Sequence, residues 1–167
     1  AELLSGEIAR ALGLPIPELV FAELERELSR TEPDPEIHAL IQDSAGLNLA
    51  LDYLPGSVMY DPVVQQTAAD LASRIVWFDA YVTNVDRTVR NTNMLMWHRR
   101  LWLIDHGATL YFHHSTGWES AAARARAPFP EIKQHVLLRY ARMVQEVDEA
   151  MAGALTPGAI ARILDQV

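Results

Sequence analysis

The chain has 167 residues, half of them apolar, and a formal net charge of −8 at pH 7, so we expect a folded chain with its own core that is neither disordered nor membrane-spanning. The acidic balance argues against general nucleic-acid binding, which needs a basic surface. The absence of cysteine excludes disulfides and thiolate zinc sites and fits a reducing cytoplasm, where we expect the protein.

The first half of the chain predicts two helices and two strands. An apolar residue at every fourth position, followed by Gly13, predicts a helix over residues 1–12. The apolar segment 18–24 is typical of a strand. Asp34 is followed by a proline, and this pair suits the N-cap and first position of a second helix. Alternating apolar and polar residues over 47–54 predict a half-buried strand.

The second half predicts longer helices around one hairpin. Apolar residues at steps of three and four predict a helix from Pro62 to Val82. Two short apolar segments, NMLMW and LWLID, predict the hairpin, and the three residues that start at His98 join them. The segment 128–151 predicts another helix, and a last short helix follows Thr156. The order of elements indicates a small α+β part followed by a larger helical part.

Three polar residues flank the hairpin, and a folding argument explains none of them. Asp86 and Asn91 lie on the predicted loop before the hairpin, and Asp105 ends its second strand. Because a hairpin brings its two ends together, we expect the three side chains to share one pocket. Carboxylate and amide oxygens are ligands that Mg²⁺ accepts while phosphate supplies others. The pattern therefore indicates phosphoryl transfer, in which one aspartate orients the attacking hydroxyl and the other two residues hold metal.

The spacing of these residues is more specific than any one of them. Taken singly, each is explained as well by a turn or a cap. The pattern D-x-x-x-x-N, followed after a hairpin by a strand-ending D-x-G, is the pattern of a kinase catalytic loop and metal motif. We therefore interpret the three together as a site.

Residues 83–95, TNVDRTVRNTNML, and residues 101–107, LWLIDHG, resemble the kinases of the HipA-like group and, more distantly, the phosphoinositide 3- and 4-kinases. The likeness extends to EIARALGLPIPE, GLNLALDYLPGS and FPEIKQHVLL and so covers nearly the whole chain. It implies an α+β, protein-kinase-like fold, mainly the helical C-lobe. Residues 1–54 would be a remnant of the N-lobe with its αC-type helix, strands and hinge, and residues 55–167 the C-lobe. ATP and Mg²⁺ are the implied cofactors, and the hydroxyl of a protein Ser or Thr is the implied acceptor.

The resemblance also implies roles for individual residues. Asp86 would be the catalytic base, and Arg87 would act with it in the catalytic loop by stabilising that loop. Asn91 and Asp105 would be the metal ligands. Glu2 would match the αC-type glutamate that pairs with a phosphate-binding lysine, although a solvent-facing glutamate is common in a first helical turn.

The implied adenine contacts are backbone groups around Asp52, Tyr53 and Leu54, on the segment that matches the hinge. Two positions depart from the pattern of the group. Thr88 stands where many relatives carry His, and His106 replaces the Phe of the Asp-Phe-Gly motif.

The sequence lacks two parts of a nucleotide site. It contains no Gly-rich phosphate loop, and its only lysine, Lys133, lies far downstream. Because the chain starts with Ala, we expect a fragment of a longer kinase. Two other hypotheses stay open. One is a pseudokinase or truncated module that acts by binding an antitoxin-like or regulatory partner, and the other is a metal-dependent hydrolase that uses the same carboxylates.

The histidines raise a further alternative, a zinc site. His106, His113 and His114 come within nine residues. Their spacing matches no H-E-x-x-H pattern, and adjacent residues on a strand point to opposite faces. The sequence therefore favours magnesium over zinc.

Overall fold

The computed structural model describes residues 1–111 and 123–166, which include five helices and five strands. The helices are α1 Glu2–Ala11, α2 Pro35–Asp43, α3 Ala69–Tyr81, α4 Val144–Ala154 and α5 Pro157–Leu164. The strands are β1 Leu19–Leu24, β2 Gly46–Leu51, β3 Val58–Met59, β4 Met94–Trp97 and β5 Arg100–Leu103. Two 3₁₀ helices cover Arg26–Thr31 and Pro130–Gln134. This is an α+β fold, as predicted, with two compact units, Pro17–Tyr53 and the combination of Ala1–Ile16 with Leu54–Val167.

The smaller unit is an antiparallel β1–β2 pair with α2. The strands are in register from the pair Leu19 and Leu51 to the pair Leu24 and Gly46. Helix α2 begins where the sequence predicts, because the carboxylate of Asp34 accepts hydrogen bonds from the first free backbone N–H groups of the helix. Both predicted strands are confirmed.

The core of the larger unit lies along α3. The side chains of Ile75 and Phe78 are fully buried, as the apolar spacing predicts. The predicted start at Pro62 is wrong, because α3 begins at Ala69. The carboxylate of Asp61 accepts the backbone N–H of Val63 at 2.8 Å and holds the chain in a turn instead.

A three-stranded antiparallel sheet, in the order β3–β4–β5, contains the predicted hairpin. Strands β4 and β5 are joined at His98 and Arg99, which both have positive φ, at 47° and 62°. These values suit the two-residue hairpin turn whose twist matches that of the strands. The N–H of Leu103 donates to the carbonyl of Pro15 at 2.8 Å, so the segment after α1 is hydrogen-bonded to β5.

The single helix predicted over 128–151 is wrong. The chain forms the 3₁₀ helix Pro130–Gln134, then turns, and becomes α-helical only at Val144. The reason is tertiary: His135 is extended, with φ −63° and ψ 129°, and the N–H of Val136 donates to the carbonyl of Arg87 at 3.1 Å. That N–H is therefore not available to an α-helix.

The last predicted helix is confirmed as α5, where the hydroxyl of Thr156 accepts the N–H of Ala159 at 3.2 Å. Among the residues that the structure describes, no helix is both long enough and apolar enough to span a membrane.

Candidate active site

The loop between α3 and β4 carries Asp86 and Asn91, and it is closed by its own backbone. The N–H of Thr88 donates to the carbonyls of Asp86 at 2.8 Å and Asn91 at 2.9 Å. The N–H of Asn84 donates to the carbonyl of Asp79 at 2.8 Å and ties the loop to the end of α3. The loop is thus a fixed platform on the larger unit.

The structure brings Asp86 and Asn91 into direct contact. Oδ2 of Asp86 accepts a hydrogen bond from Nδ2 of Asn91 at 2.7 Å and a second from Nδ2 of Asn93 at 3.1 Å. The backbone N–H of Asp86 donates to Oδ1 of Asn84 at 3.0 Å. Within residues 1–111 and 123–166, Oδ1 of Asp86 and Oδ1 of Asn91 make no hydrogen bond, so each is available to a ligand.

Asp105 lies on a segment that is bonded to this loop through the backbone. The N–H of Ile104 donates to the carbonyl of Asn93 at 3.1 Å. The Asp105 side chain is exposed, and its Oδ1 accepts the N–H of Gly107 at 3.3 Å. In the described part of the chain its carboxylate makes no hydrogen bond to Asp86 or Asn91. The loop and the Asp105 segment are thus joined through their backbones. Among the three predicted site residues, the described part of the chain shows a direct side-chain bond only between Asp86 and Asn91.

The side-chain oxygens of Asn91 and Asp105 are hard ligands of the kind that magnesium accepts. Because Nδ2 of Asn91 faces Asp86, the amide oxygen of Asn91 is left without a partner in the described residues. The carboxylate of Asp105 is exposed, and its Oδ2 has no hydrogen bond there. Mg²⁺ usually takes one or two carboxylates from a protein and completes its shell with water and phosphate. No group of three or more His, Asp or Glu side chains that could hold a metal lies within residues 1–111 and 123–166.

A buried ionic network lies beneath the loop and is absent from the sequence predictions. Asp79, which is fully buried on α3, accepts hydrogen bonds at Oδ2 from Nε of Arg87 and Nε2 of His135, both at 2.7 Å. Its Oδ1 accepts Nδ2 of Asn84 at 2.8 Å. Because Nδ1 of His135 accepts the N–H of Leu137 at 3.0 Å, the imidazole proton must be on Nε2, facing Asp79.

Arg87 is 1% exposed and connects the two halves of the site. Its Nη1 donates to the carbonyl of Asn93 and lies 3.5 Å from the carbonyl of Ile104. The first contact holds the residue that donates to Asp86, and the second holds the residue before Asp105. Arg87 therefore positions both candidate motifs and is too deeply buried to contact a substrate.

The environment of Asp79 keeps its carboxyl ionised. Burial alone would raise its pKa, but the charge of Arg87 and hydrogen bonds from His135 and Arg87 lower the pKa to about 2. The ionised carboxylate is the common acceptor that these donors need.

Acid is expected to destabilise the protein between about pH 4 and pH 2 through Asp79. The carboxyl has a reference pKa of 3.8 and a folded pKa of about 2, so its contribution is complete above the unfolded value and is lost as the pH falls through the folded value. The loss is about 2 kcal/mol in the free energy of unfolding. Urea unfolding across this range measures it. The Asp79→Asn variant should show a flatter dependence, and equal pH slopes in both proteins would contradict the assignment.

Glu2 faces the Asp105 segment. Its Oε2 accepts the backbone N–H of His106 at 2.5 Å, and its Oε1 lies 3.2 Å from Nδ1 of the same residue. Burial raises the pKa of Glu2, yet the hydrogen bonds and charge of His106 lower it below its usual value. Both carboxylate oxygens are thus engaged by His106. The pairing of Glu2 with a lysine remains a prediction, and Lys133 lies exposed on the 3₁₀ helix Pro130–Gln134.

The residues expected to face adenine differ in their surroundings. Asp52 and Tyr53 end the smaller unit and are exposed, whereas Leu54 begins the larger unit and is 4% exposed. The backbone N–H of Asp52 already donates to the carbonyl of Glu18 at 2.9 Å. Their role in binding adenine stays a prediction.

The zinc alternative gains no support from the described residues. His106 is 1% exposed and is engaged by Glu2. His113 and His114 lie outside the described residues.

Sequence reasoning missed Asp79, His135 and Asn93. A signal existed for Asp79, since it stands four residues after Ile75 and three before Val82, on the apolar face of the predicted helix. A charged residue on such a face needs a buried partner. Asn93 and His135 carry no local signal, because their partners are fixed by tertiary structure.

An aspartate paired with the asparagine five residues later, beside an Asp-x-Gly segment in the turn that follows a strand, is the arrangement of a kinase-type phosphotransferase. The model of the HipA-like kinase family matches residues 1–152 of the chain. The chain belongs to this family, which confirms the resemblance found in the sequence. A search of the curated proteins and a search of the solved structures each found no match to the chain.

Proposed function

We propose that the protein catalyses the magnesium-assisted transfer of the γ-phosphoryl group of ATP to a hydroxyl, with a protein Ser or Thr as the acceptor. The observation that carries this proposal is the contact between Asp86 and Asn91, at 2.7 Å, in a loop that is bonded to the Asp105 segment. Membership of the HipA-like kinase family supports the reaction class.

Asp86 is the proposed base. Two amide groups, from Asn91 and Asn93, donate to its Oδ2 and fix the plane of the carboxylate. The other oxygen, Oδ1, is left to accept the hydrogen of the attacking hydroxyl. A base held in this way orients the hydroxyl and accepts its proton as the bond to phosphorus forms.

Asn91 and Asp105 are the residues that would hold Mg²⁺, which would offset the negative charge of the phosphoryl group during its transfer. The chain itself supplies an amide oxygen from the loop and a carboxylate from the turn after β5. Arg87 acts indirectly, because its backbone contacts fix the positions of both segments.

The remaining roles follow from the family pattern. We assign residues 1–54 to an N-lobe remnant and 55–167 to the C-lobe, with backbone groups around Asp52, Tyr53 and Leu54 facing adenine. An antitoxin-like or regulatory partner would act on the protein outside the catalytic loop.

Replacing Asp105 by asparagine is expected to remove the magnesium dependence of ATP binding. The substitution keeps the size of the side chain and its acceptor for Gly107, but it removes the charge that attracts the metal. Calorimetric titration of ATP with and without Mg²⁺ measures the effect. We expect binding by the unmodified protein to strengthen by roughly tenfold or more with Mg²⁺, and binding by the variant to be equally weak in both conditions.

The matched control is Asp70→Asn, an exposed aspartate in the first turn of α3, which should bind as the unmodified protein does. ATP binding that is indifferent to magnesium in the unmodified protein would contradict the proposal. Steady release of free phosphate without labelling of any hydroxyl acceptor would identify a hydrolase instead.

A further inference from the structure

Four side chains join helix α1 to the turn that follows Asp105. Glu2 and Ser5 lie three residues apart on α1 and therefore on one face of the helix, and they contact His106 and Thr109. The oxygens of Ser5 and Thr109 are 2.6 Å apart, and Thr109 Oγ1 donates to the carbonyl of His106 at 2.6 Å. Ser5, His106 and Thr109 are each at most 1% exposed. We call these four residues the clamp.

The hydrogen-bond directions in the clamp are determined. The hydroxyl hydrogen of Thr109 is committed to the carbonyl of His106, so Ser5 must donate to Oγ1 of Thr109. A carboxylate only accepts, so Nδ1 of His106 must carry a hydrogen that faces Glu2. The backbone N–H of His106 bonds Glu2, and its carbonyl bonds Thr109. Every link in the clamp is thus a donor facing an acceptor.

The clamp contacts the peptide group after Asp105, and Arg87 contacts the peptide group before it. The peptide group after Asp105 carries the N–H that donates to Glu2, and the peptide group before it carries the Ile104 carbonyl that Arg87 contacts. Asp105 has a φ of 53°, a value that is uncommon for residues other than glycine but that aspartate adopts more readily than most. The contacts on its two peptide groups hold Asp105 in this conformation.

We propose that the clamp positions Asp105 for its metal, so that Glu2 and His106 set the magnesium affinity of the site without touching magnesium or ATP. This inference rests on the proposed function and adds two positioning residues to it. His106 is the distinctive member of the clamp, because its imidazole supplies the second bond to Glu2, which the Phe of an Asp-Phe-Gly motif cannot make. A displacement of α1 is transmitted to Asp105 through these bonds.

The His106→Phe variant tests the role of the imidazole. Phenylalanine keeps an aromatic ring against Phe78, whose centroid is 5.8 Å from that of His106, and it removes the bond from Nδ1 to Glu2. It also removes the buried Nε2, which has no partner in the described residues. We therefore expect the melting temperature to be unchanged or higher, while the ATP affinity measured with Mg²⁺ falls about tenfold. A purely structural role predicts no such separation.

The Glu2→Gln variant tests whether the Glu2 carboxylate is the acceptor for both hydrogens of His106. Glutamine can still accept the N–H of His106, but its amide group then faces Nδ1 and cannot accept from it. We expect the ATP affinity measured with Mg²⁺ to fall by a similar factor, and the affinity measured without Mg²⁺ to fall by less. The control is Glu7→Gln, the same change on the same helix at a residue that pairs with Arg10 instead, which should leave both affinities unchanged.

A measurement without metal or nucleotide completes the test. Nitrogen-15 NMR should find Nδ1 of His106 protonated in the unmodified protein. Hydrogen exchange of the His106 amide should accelerate in Glu2→Gln, because a neutral amide oxygen accepts a weaker hydrogen bond than a carboxylate does. Unprotonated Nδ1 would overturn the clamp. Equal magnesium dependence in the unmodified protein and both variants would overturn it while leaving the proposed function intact. If the unmodified protein shows no magnesium-dependent binding, the proposed function fails, and so does the clamp's effect on metal affinity.

Discussion

Replacing Asp86 by asparagine is expected to slow phosphoryl transfer at least about 100-fold while leaving the fold and ATP binding intact, because a positioned base contributes about 10² to 10⁴ in rate. The two amides that hold Oδ2, from Asn91 and Asn93, require an acceptor. The new side chain will therefore turn its oxygen toward them. Its NH₂ group then takes the place of Oδ1 and donates to the attacking hydroxyl instead of accepting from it.

The measurement is transfer of labelled phosphate to an acceptor, together with the melting temperature and ATP affinity of the variant. Asp70→Asn, an exposed aspartate outside the site, provides the control for the chemical change itself. Unchanged turnover in Asp86→Asn would show that this carboxylate is not the base. A fall in ATP affinity equal to the fall in rate would show that it acts in binding rather than in catalysis.

The sequence predicts the elements whose signals are local. Helix α1, the N-cap Asp34 and the strands of the hairpin each depend on a few neighbouring residues. The spacing of Asp86, Asn91 and Asp105 can also be recognised as a kinase pattern from the sequence, because only a loop and a hairpin separate the three residues along the chain. Local periodicity and turn chemistry agree with the fold in these regions.

The sequence does not predict the elements whose backbone partners are distant. The start of α3 moves from Pro62 to Ala69 because the side chain of Asp61 holds a turn. The segment after Pro130 is not α-helical throughout, because the N–H of Val136 bonds the carbonyl of Arg87, 49 residues earlier in the chain. Periodicity describes the apolar face of a segment and carries no information on such bonds.

The residues that orient the candidate site cannot be identified from the sequence, for the same reason. The sequence suggests only a lysine partner for Glu2, whereas Glu2 lies against His106, 104 residues away. Asp79 falls within an apolar stripe, and its partners Arg87 and His135 come from two other parts of the chain. Chemistry-bearing residues on one loop can be found from spacing, but the residues that orient them are found only when the chain is folded.

Removing the charge of Asp79 is expected to destabilise the protein strongly. Asp79→Asn leaves Arg87 buried without its anion, and the loss of one partner of a buried ion pair costs about 3–5 kcal/mol. For a chain of this size the melting temperature should fall by roughly 10 °C. The rate of phosphoryl transfer should also fall, even below the melting temperature, because Arg87 holds the carbonyls of Asn93 and Ile104.

A double variant separates stability from positioning. Asp79→Leu combined with Arg87→Met removes both charges, so neither is left buried alone, and replacing a buried ion pair by apolar side chains is often nearly neutral. Since Asp79 and Arg87 are in contact, we expect the double variant to be more stable than the sum of the two single changes predicts, by about 1–3 kcal/mol. Urea unfolding of the four proteins measures this coupling.

Activity should not follow stability in the double variant. Methionine cannot donate to the carbonyls of Asn93 and Ile104, so the contacts that place Asn93 beside Asp86 and fix the segment before Asp105 are lost. We therefore expect phosphoryl transfer to remain impaired although stability is partly restored. Recovery of activity together with stability would show that the network only holds the fold together, whereas stability without activity identifies Arg87 as the residue that positions both halves of the site.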